Sequence, residues 1–271
     1  MQRIQYFQRF SIGFITKNRA LIEFQDFLLF VDKHTKEIKI KQMRFIDVFD
    51  NTKKNRKLSR GWGLSFFFPD YHLLFDTGES PIYLEQNLHE LGISKDEIAY
   101  IFLSHEHWDH TGGMDIFRDE KRTVFLHSHF TEDSAEMYRA MGLNVEVIEK
   151  PFEILPEVYS TGPLGNVIKE HSLIIETKEG LCVFTGCSHP GLEDILDSTR
   201  KFGTRIRLVA GGFHLLDMNK EQIEGVIDLF KKYRVEKVAP THCTGELAIE
   251  MFHDEFGEDF IELGAGLEVE I

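Results

Sequence analysis

Cysteine is scarce: Cys182, Cys187 and Cys243 are the only three in 271 residues, and none forms a CxxC pair. That excludes a disulfide framework and favours a reducing cytoplasm. No run reaches the roughly 18 consecutive apolar residues that a membrane span requires. The opening stretch, MQRIQYFQRFSIGF, threads charges and glutamines through its apolar positions, unlike the continuous core of a secretory signal. Basic residues are the minority, with 31 Lys and Arg against 45 Asp and Glu, a formal charge of −14. Such a surface repels phosphate backbones at long range and argues against a nucleic-acid partner. A GxSxG elbow, a Walker A loop, a GxGxxG following a strand and a solenoid-type repeat are also missing.

What is present is the composition of a globular protein, 42% hydrophobic and 28% charged, long enough for one large domain or two small ones. Residues 1–42 stand apart. They carry eight Lys and Arg against four Asp and Glu, while residues 43–271 carry 23 against 41. Six phenylalanines lie in that first segment, which reads as an extension that packs, makes an oligomer contact or covers an active site. The domain proper is expected at 43–271.

From residue 43 onward, strand and helix signals alternate. MRFIDVF, GLSFFF, HLLF, Ala99 to Leu103, TVFLH, VEVIE, SLIIET, LCVFTG, IRLVAG and KVAP read as strands rich in Phe, Ile and Val. Ser80-Pro81 reads as a helix start before Leu84, Leu88 and Leu91, with Gly92 as the stop. Further helices are expected at 131–141, 190–202, 219–233 and 246–256. Ser94 with Glu97, and Asn219 with Gln222, have capping-box spacing. LLFDTG at 73–78 and LCVFTG at 181–186 echo one another and hint at two similar halves.

The chemistry concentrates in the histidines. Of thirteen, five fall between residues 105 and 129, and the densest cluster is Ser-His-Glu-His-Trp-Asp-His-Thr-Gly-Gly at 104–113. In an extended loop, residues two apart project the same way, so His105 and His107 can grip one metal ion. Asp109 and His110 follow closely enough to reach a second. More ligands must come from elsewhere, and His189, His214 and His242 each follow an apolar strand, where functional groups gather in open α/β architectures. His189 and His242 read as ligands. His214 reads as ligand, proton donor or substrate contact.

His127 and His129 form a rival His-x-His pair, but no Asp-His follows, and a structural or supporting role fits better. His34, His72, His89, His171 and His253 have no such context. Asp76 ends a strand and reads as either a turn former or an outer partner of a ligand histidine. The loops at 187–191 and 241–246 run into expected helices, whose exposed N–H groups favour anions. Ser188 and Thr241 are therefore candidate contacts for an anionic small-molecule substrate.

Six motifs now stand in order: GLS at 63–65, FDTG, SHEHWDHTGG, TGCSHPG, GGFHL and APTHCTG. The set resembles the metallo-β-lactamase fold superfamily. Within it, the set is similar to a prokaryotic family of metal-dependent hydrolases often labelled dihydropterin-ribofuranosylaminobenzene-phosphate synthases. The resemblance covers roughly residues 43–271 and implies an α/β, four-layer αββα sandwich. By motif, His105, His107 and His189 would hold one metal, and Asp109, His110 and His242 the other. The superfamily's usual bridging aspartate is replaced by Cys187, a thiolate ligand or a position left to water.

The resemblance implies zinc, two ions per chain, with iron or manganese as alternatives. His107 favours zinc, because diiron oxidoreductases of this fold carry Glu there. The expected activity is hydrolysis of an ester-type, anionic or phosphorylated small molecule. Metal-activated hydroxide would attack, Asp109 would orient it, and the second ion or His214 would stabilise developing charge. The alternatives are a synthase-type transferase in pterin cofactor biosynthesis and a non-catalytic metal-binding module. Oligomeric state is left open.

Overall fold

The computed structural model describes residues 43–118 and 121–271, so the expectations for residues 1–42 fall outside the described residues. One sheet contains β1 (Arg44–Phe49), β2 (Ser65–Phe68), β3 (Leu73–Phe75), β4 (Tyr100–Phe102), β5 (Thr123–His127), β6 (Asn144–Ile148) and β13 (Glu268–Glu270). Its strand order is β13-β1-β2-β3-β4-β5-β6. The second contains β7 (Phe152–Leu155), β8 (Val158–Ser160), β9 (Leu173–Thr177), β10 (Gly180–Thr185), β11 (Ile206–Gly212) and β12 (Lys237–Thr241), in the order β12-β11-β10-β9-β8-β7. The echo between 73–78 and 181–186 has a structural counterpart. In each sheet the echoing strand, β3 or β10, has an antiparallel neighbour on one side and a parallel one on the other.

Side chains alternate across a strand, and here both faces are apolar because both are covered. Phe66, Phe68, Leu73, Phe75 and Phe102 of the first sheet meet Leu173, Ile175, Cys182, Phe184 and Leu208 of the second in one core. Phe67, Leu74, Ile101 and Val124, the alternate residues of the first sheet, pack under α1 (Pro81–Leu91) and α3 (Glu132–Ala140) through Leu84, Leu88, Ala135 and Tyr138. Ile174, Val183 and Val209 do the same under α4 (Leu192–Thr199), α5 (Lys220–Lys232) and α6 (Glu246–Phe256), through Ile195, Ile227 and Phe252. Helices, two sheets and helices again make the αββα sandwich.

Phe184 lies at the centre of the inter-sheet layer, with the rings of Phe45, Phe66 and Phe68 at 5.2, 6.1 and 4.7 Å. Phe184→Leu keeps an apolar side chain but gives up these edge-to-face contacts and leaves a small void. We expect a loss of about 1–2 kcal/mol in chemical denaturation, and an unchanged midpoint would contradict this packing.

Several local expectations shift. Gly191 has φ 93°, so the fourth helix begins at Leu192 rather than Pro190. Ser94 and Glu97 do form a capping box, but over a single 3₁₀ turn. Ser80 precedes Pro81 as read, yet its hydroxyl makes no cap bond. A one-turn helix α2 (Trp108–Thr111) stands within the histidine cluster, and the short β7, β8 and β13 had no signal in the sequence.

Candidate metal centre

Parallel strands end on one edge of the sandwich, and the candidate residues follow those ends. Asp76 follows β3, Ser104 to His107 follow β4, and α2 carries Asp109 and His110. Cys187 and His189 follow β10, His214 follows β11, and His242 follows β12. Seven non-glycine residues have positive φ among the described residues, and Asp76, Ser188, His214 and His242 are four of them. Each such backbone costs on the order of 1 kcal/mol or more and persists where the surroundings impose it. Here it turns the chain sharply off a strand end.

The ring nitrogens converge. His105 Nε2 lies 3.0 Å from His107 Nδ1, and His189 Nε2 lies 3.2 Å from that same atom. Ligands about 2.0–2.1 Å from a tetrahedral zinc ion lie roughly 3.3 Å from one another, so these nitrogens have the spacing of a coordination shell. Beside them, Asp109 Oδ2 lies 3.3 Å from His242 Nε2 and 3.6 Å from His110 Nε2, and Cys187 Sγ lies 3.3 Å from His110 Nε2. Among the described residues His242 Nε2 is buried without a hydrogen-bond partner, which suits a metal-ligating nitrogen. Donor atoms of Asp109, His110, Cys187 and His242 all lie within 4.8 Å of one another, as do those of His105, Cys187 and His189. Cys187 therefore stands between the two sets.

Outer partners fix which ring nitrogen faces the cleft. Asp76 is fully buried and accepts from Ser104 N at 2.7 Å, Ser104 Oγ at 2.7 Å and His110 Nδ1 at 2.6 Å. Because Ser104 Oγ donates to Asp76, it accepts from His105 Nδ1 at 3.0 Å, which leaves His105 Nε2 free as a ligand. Asn51 Oδ1 accepts from His242 Nδ1 at 3.0 Å and from Gly63 N, while Asn51 Nδ2 donates to the His242 carbonyl. Glu106, between the first two histidines, points away and accepts from Thr131 and Ser134 at the start of α3.

Glu170 does the most. Its buried carboxylate accepts the backbone N–H groups of Gly186, Cys187, Ser188 and His189 at 2.9, 3.1, 3.1 and 2.9 Å, so it gathers the whole loop that carries two candidate ligands. Burial pushes its pKa up to about 7 against the pull of those amides. With four N–H groups aimed at its two oxygens, the loop is built around the ionised form.

Charge at the position of His105 and His189 suits ligands. Burial and the neighbouring histidines hold His105 well below the ordinary imidazole value, and burial with His214 and His107 holds His189 down at about 4. Both are neutral near pH 7, as ligands must be. Burial opposes a charge on His110, but Asp76 and then Asp109 outweigh it and lift its pKa to about 9. Burial likewise opposes charge on Asp109, and His242 and His110 more than offset it.

Ser188 and Thr241 were expected at a substrate, but both are buried and committed inward. Ser188 Oγ donates to the Gly212 carbonyl at 2.6 Å, and Thr241 Oγ1 donates to Asp50. The backbone N–H groups of residues 186–189 are taken by Glu170. His214 is exposed, with its ring 4.6 Å from that of His189.

Of the rival pair, His129 is exposed while His127 is structural: its Nδ1 accepts the His129 N–H and its Nε2–H donates to the Lys169 carbonyl. His171 was passed over in the sequence. It is fully buried, stacked on Phe102 at 4.0 Å and bonded to Leu103 O and Ser160.

Burial holds His127 at about 4, against an ordinary 6.5. Below pH 6.5 the unfolded chain takes up a proton that the native state refuses until about pH 4, so this residue lowers stability as pH falls through that window. Its contribution is about 1.4 kcal/mol per pH unit. His127→Gln retains a donor toward Lys169 and should flatten the stability slope by that amount in urea melts at pH 6 and pH 5. An unchanged slope would remove His127 from the account.

Glu170, Asn51 and the buried pair Asp47 and Asp50 had no motif to mark them. Burial and the Asp50 carboxylate push Asp47 well above the usual carboxylate range. Only the meeting of β1, β9 and the strand-end loops in space shows what these residues do.

A family model described as "Metallo-beta-lactamase superfamily" matches residues 65–242. The chain is 32% identical to a 7,8-dihydropterin-6-methyl-4-(beta-D-ribofuranosyl)-aminobenzene-5'-phosphate synthase of Methanocaldococcus jannaschii, a match covering 72% of this chain and 82% of that one. It is 30% identical to an N-acyl homoserine lactonase of Bacillus cereus over 36% of this chain and 41% of the lactonase. A crystal structure described as a metal-dependent hydrolase of the beta-lactamase superfamily superimposes with a TM-score of 0.74 at 32% identity, covering 84% of this chain and 99% of the other.

Proposed function

The chain belongs to the metallo-beta-lactamase superfamily, and from that premise we propose that it is a zinc-dependent hydrolase of a small, anionic, ester-type substrate, with two ions per chain. The observation that carries this reading is the convergence of His105, His107 and His189 beside Asp109, His110, His242 and Cys187, each set at coordination spacing. The first three would hold one cation and the others the second, with Cys187 between them. A divalent cation bound there supplies a nucleophile at neutral pH by lowering the pKa of water.

The chain's own residues do the rest. Asp109 sits at the floor of the cleft with an ionised carboxylate, able to accept a hydrogen bond from the attacking water and hold its direction. His214 stands exposed at the rim, beside His189, and is placed to give a proton to a departing oxygen. Trp62 lies with its ring 5.1 Å from that of His242 and is partly exposed, as a wall for the substrate. The loop leading to it holds Lys53, Lys54, Arg56, Lys57 and Arg60 in an otherwise acidic domain. Arg56 and Arg60 are exposed and make no ion pair among the described residues, which supports an anionic substrate.

The archaeal relative's name favours a second reading, synthase chemistry on a ribofuranosylaminobenzene phosphate. A panel of aryl phosphoesters, lactones and thioesters, assayed with the zinc-loaded chain, separates the two. Turnover by water that disappears in Asp109→Ala supports hydrolysis. Silence on the panel, with pyrophosphate released from phosphoribosyl pyrophosphate and an aminobenzoate, supports the synthase.

A further inference from the structure

We propose that Cys187, His214 and Cys243 form a cation seat of their own, built from two thiolates and one imidazole, for a thiophilic ion such as zinc, cadmium or copper(I). The three side chains come from the ends of three adjacent parallel strands, β10, β11 and β12, and their donor atoms lie within 4.8 Å of one another. Soft sulfur ligands select such ions over magnesium, calcium or manganese. Both cysteines are buried and His214 is exposed, so the seat has a closed sulfur floor and an imidazole at its mouth.

The backbone is cleared for this arrangement. A Cβ on Gly212 would collide first with the Gly186 carbonyl oxygen and would stand 2.6 Å from Cys243 Sγ and 3.3 Å from the Cys187 Cα, so both the strand packing and the sulfur require glycine there. His214 adopts φ 56°, a conformation unusual for a side-chain-bearing residue, at the turn off β11. Phe213 N donates to Thr244 Oγ1 at 3.0 Å, which ties the His214 turn to the Cys243 turn. Cys243 Sγ lies 3.6 Å from the Cys187 carbonyl and is also within hydrogen-bond reach of the Cys187 and His214 side chains, so the three donor groups already face one another. Loading breaks two S–H bonds, forms two metal–sulfur bonds and one metal–nitrogen bond, and releases two protons to solvent.

Cys187 is shared with the centre proposed above and His214 is the proton donor proposed there, so an ion in this seat would block that donor; the seat itself does not require the hydrolase reading. The third cysteine, Cys182, lies in the core between the sheets and cannot contribute.

The test is cadmium-113 NMR of the metal-free full chain titrated with cadmium alone, alongside sulfur-to-cadmium absorption in the ultraviolet. The proposal expects one cadmium signal in the range of two-sulfur ligation, and in Cys243→Ser an absorption per chain reduced by about half. Wild-type signals confined to the range of no sulfur or one sulfur overturn it, and so does a Cys243→Ser spectrum identical to wild type. If that variant does not fold, the wild-type signal alone decides. Cadmium missing from the nitrogen and oxygen positions, with the two-sulfur signal present, would count against the hydrolase centre and leave this seat standing.

Discussion

Glu170→Gln is expected to loosen the loop that carries Cys187 and His189, although it changes only one oxygen to an amide nitrogen. The carboxylate receives four backbone N–H groups on two oxygens, and the amide nitrogen would present hydrogens to donors it cannot accept from. Hydrogen bonds to a buried charge contribute about 1.5–3 kcal/mol each, and breaking part of such a set leaves buried groups unpaired. A loss of about 2–4 kcal/mol in the metal-free chain follows. Because His189 moves with the loop, affinity at the His105, His107 and His189 position should fall about 10–100-fold in chelator competition, the usual cost of losing an outer partner. Wild-type stability and affinity in this variant would mean that the loop holds itself.

Asp76→Ala should act on the other ion position. The substitution strips the acceptor from Ser104 N, Ser104 Oγ and His110 Nδ1 at once, in a spot with no access to water. Removing one partner from a buried, charged set of this kind costs about 3–5 kcal/mol. His110 then loses its fixed tautomer, and metal held by Asp109, His110 and His242 should dissociate about 10–100-fold more readily. Asp76→Asn keeps the shape and can accept on one side, so it should fall between. Two variants with equal, wild-type metal retention would contradict the role assigned to Asp76.

The candidate metal-binding cluster was legible because its signals are local. His105 to His110 lie within one turn of chain, and His189 and His242 follow apolar runs whose strand ends must share an edge once the strands run parallel. Asp76 was half legible, as a strand-ending aspartate with two readings. The supports were not. Glu170 sits 16–19 residues before the amides it binds, and nothing in Lys-Glu-His separates it from any exposed glutamate. Ser188 and Thr241 read from motif position as substrate contacts; in the structure their hydroxyls donate to the Gly212 carbonyl and to Asp50. The layers of the fold came from the family resemblance, whereas β7 (Phe-Glu-Ile-Leu), β8 (Val-Tyr-Ser) and β13 (Glu-Val-Glu) lack the uninterrupted apolar runs that marked the equally short β2, β3 and β4.

Everything proposed for the chain's chemistry depends on whether these side chains hold metal. Elemental mass spectrometry of the purified chain, beside Asp109→Ala, addresses that directly. The account predicts at least two zinc ions per chain, falling by about one when Asp109 is removed, since the His105, His107 and His189 position needs no carboxylate. A wild-type chain that carries no tightly bound metal would contradict the account at its centre.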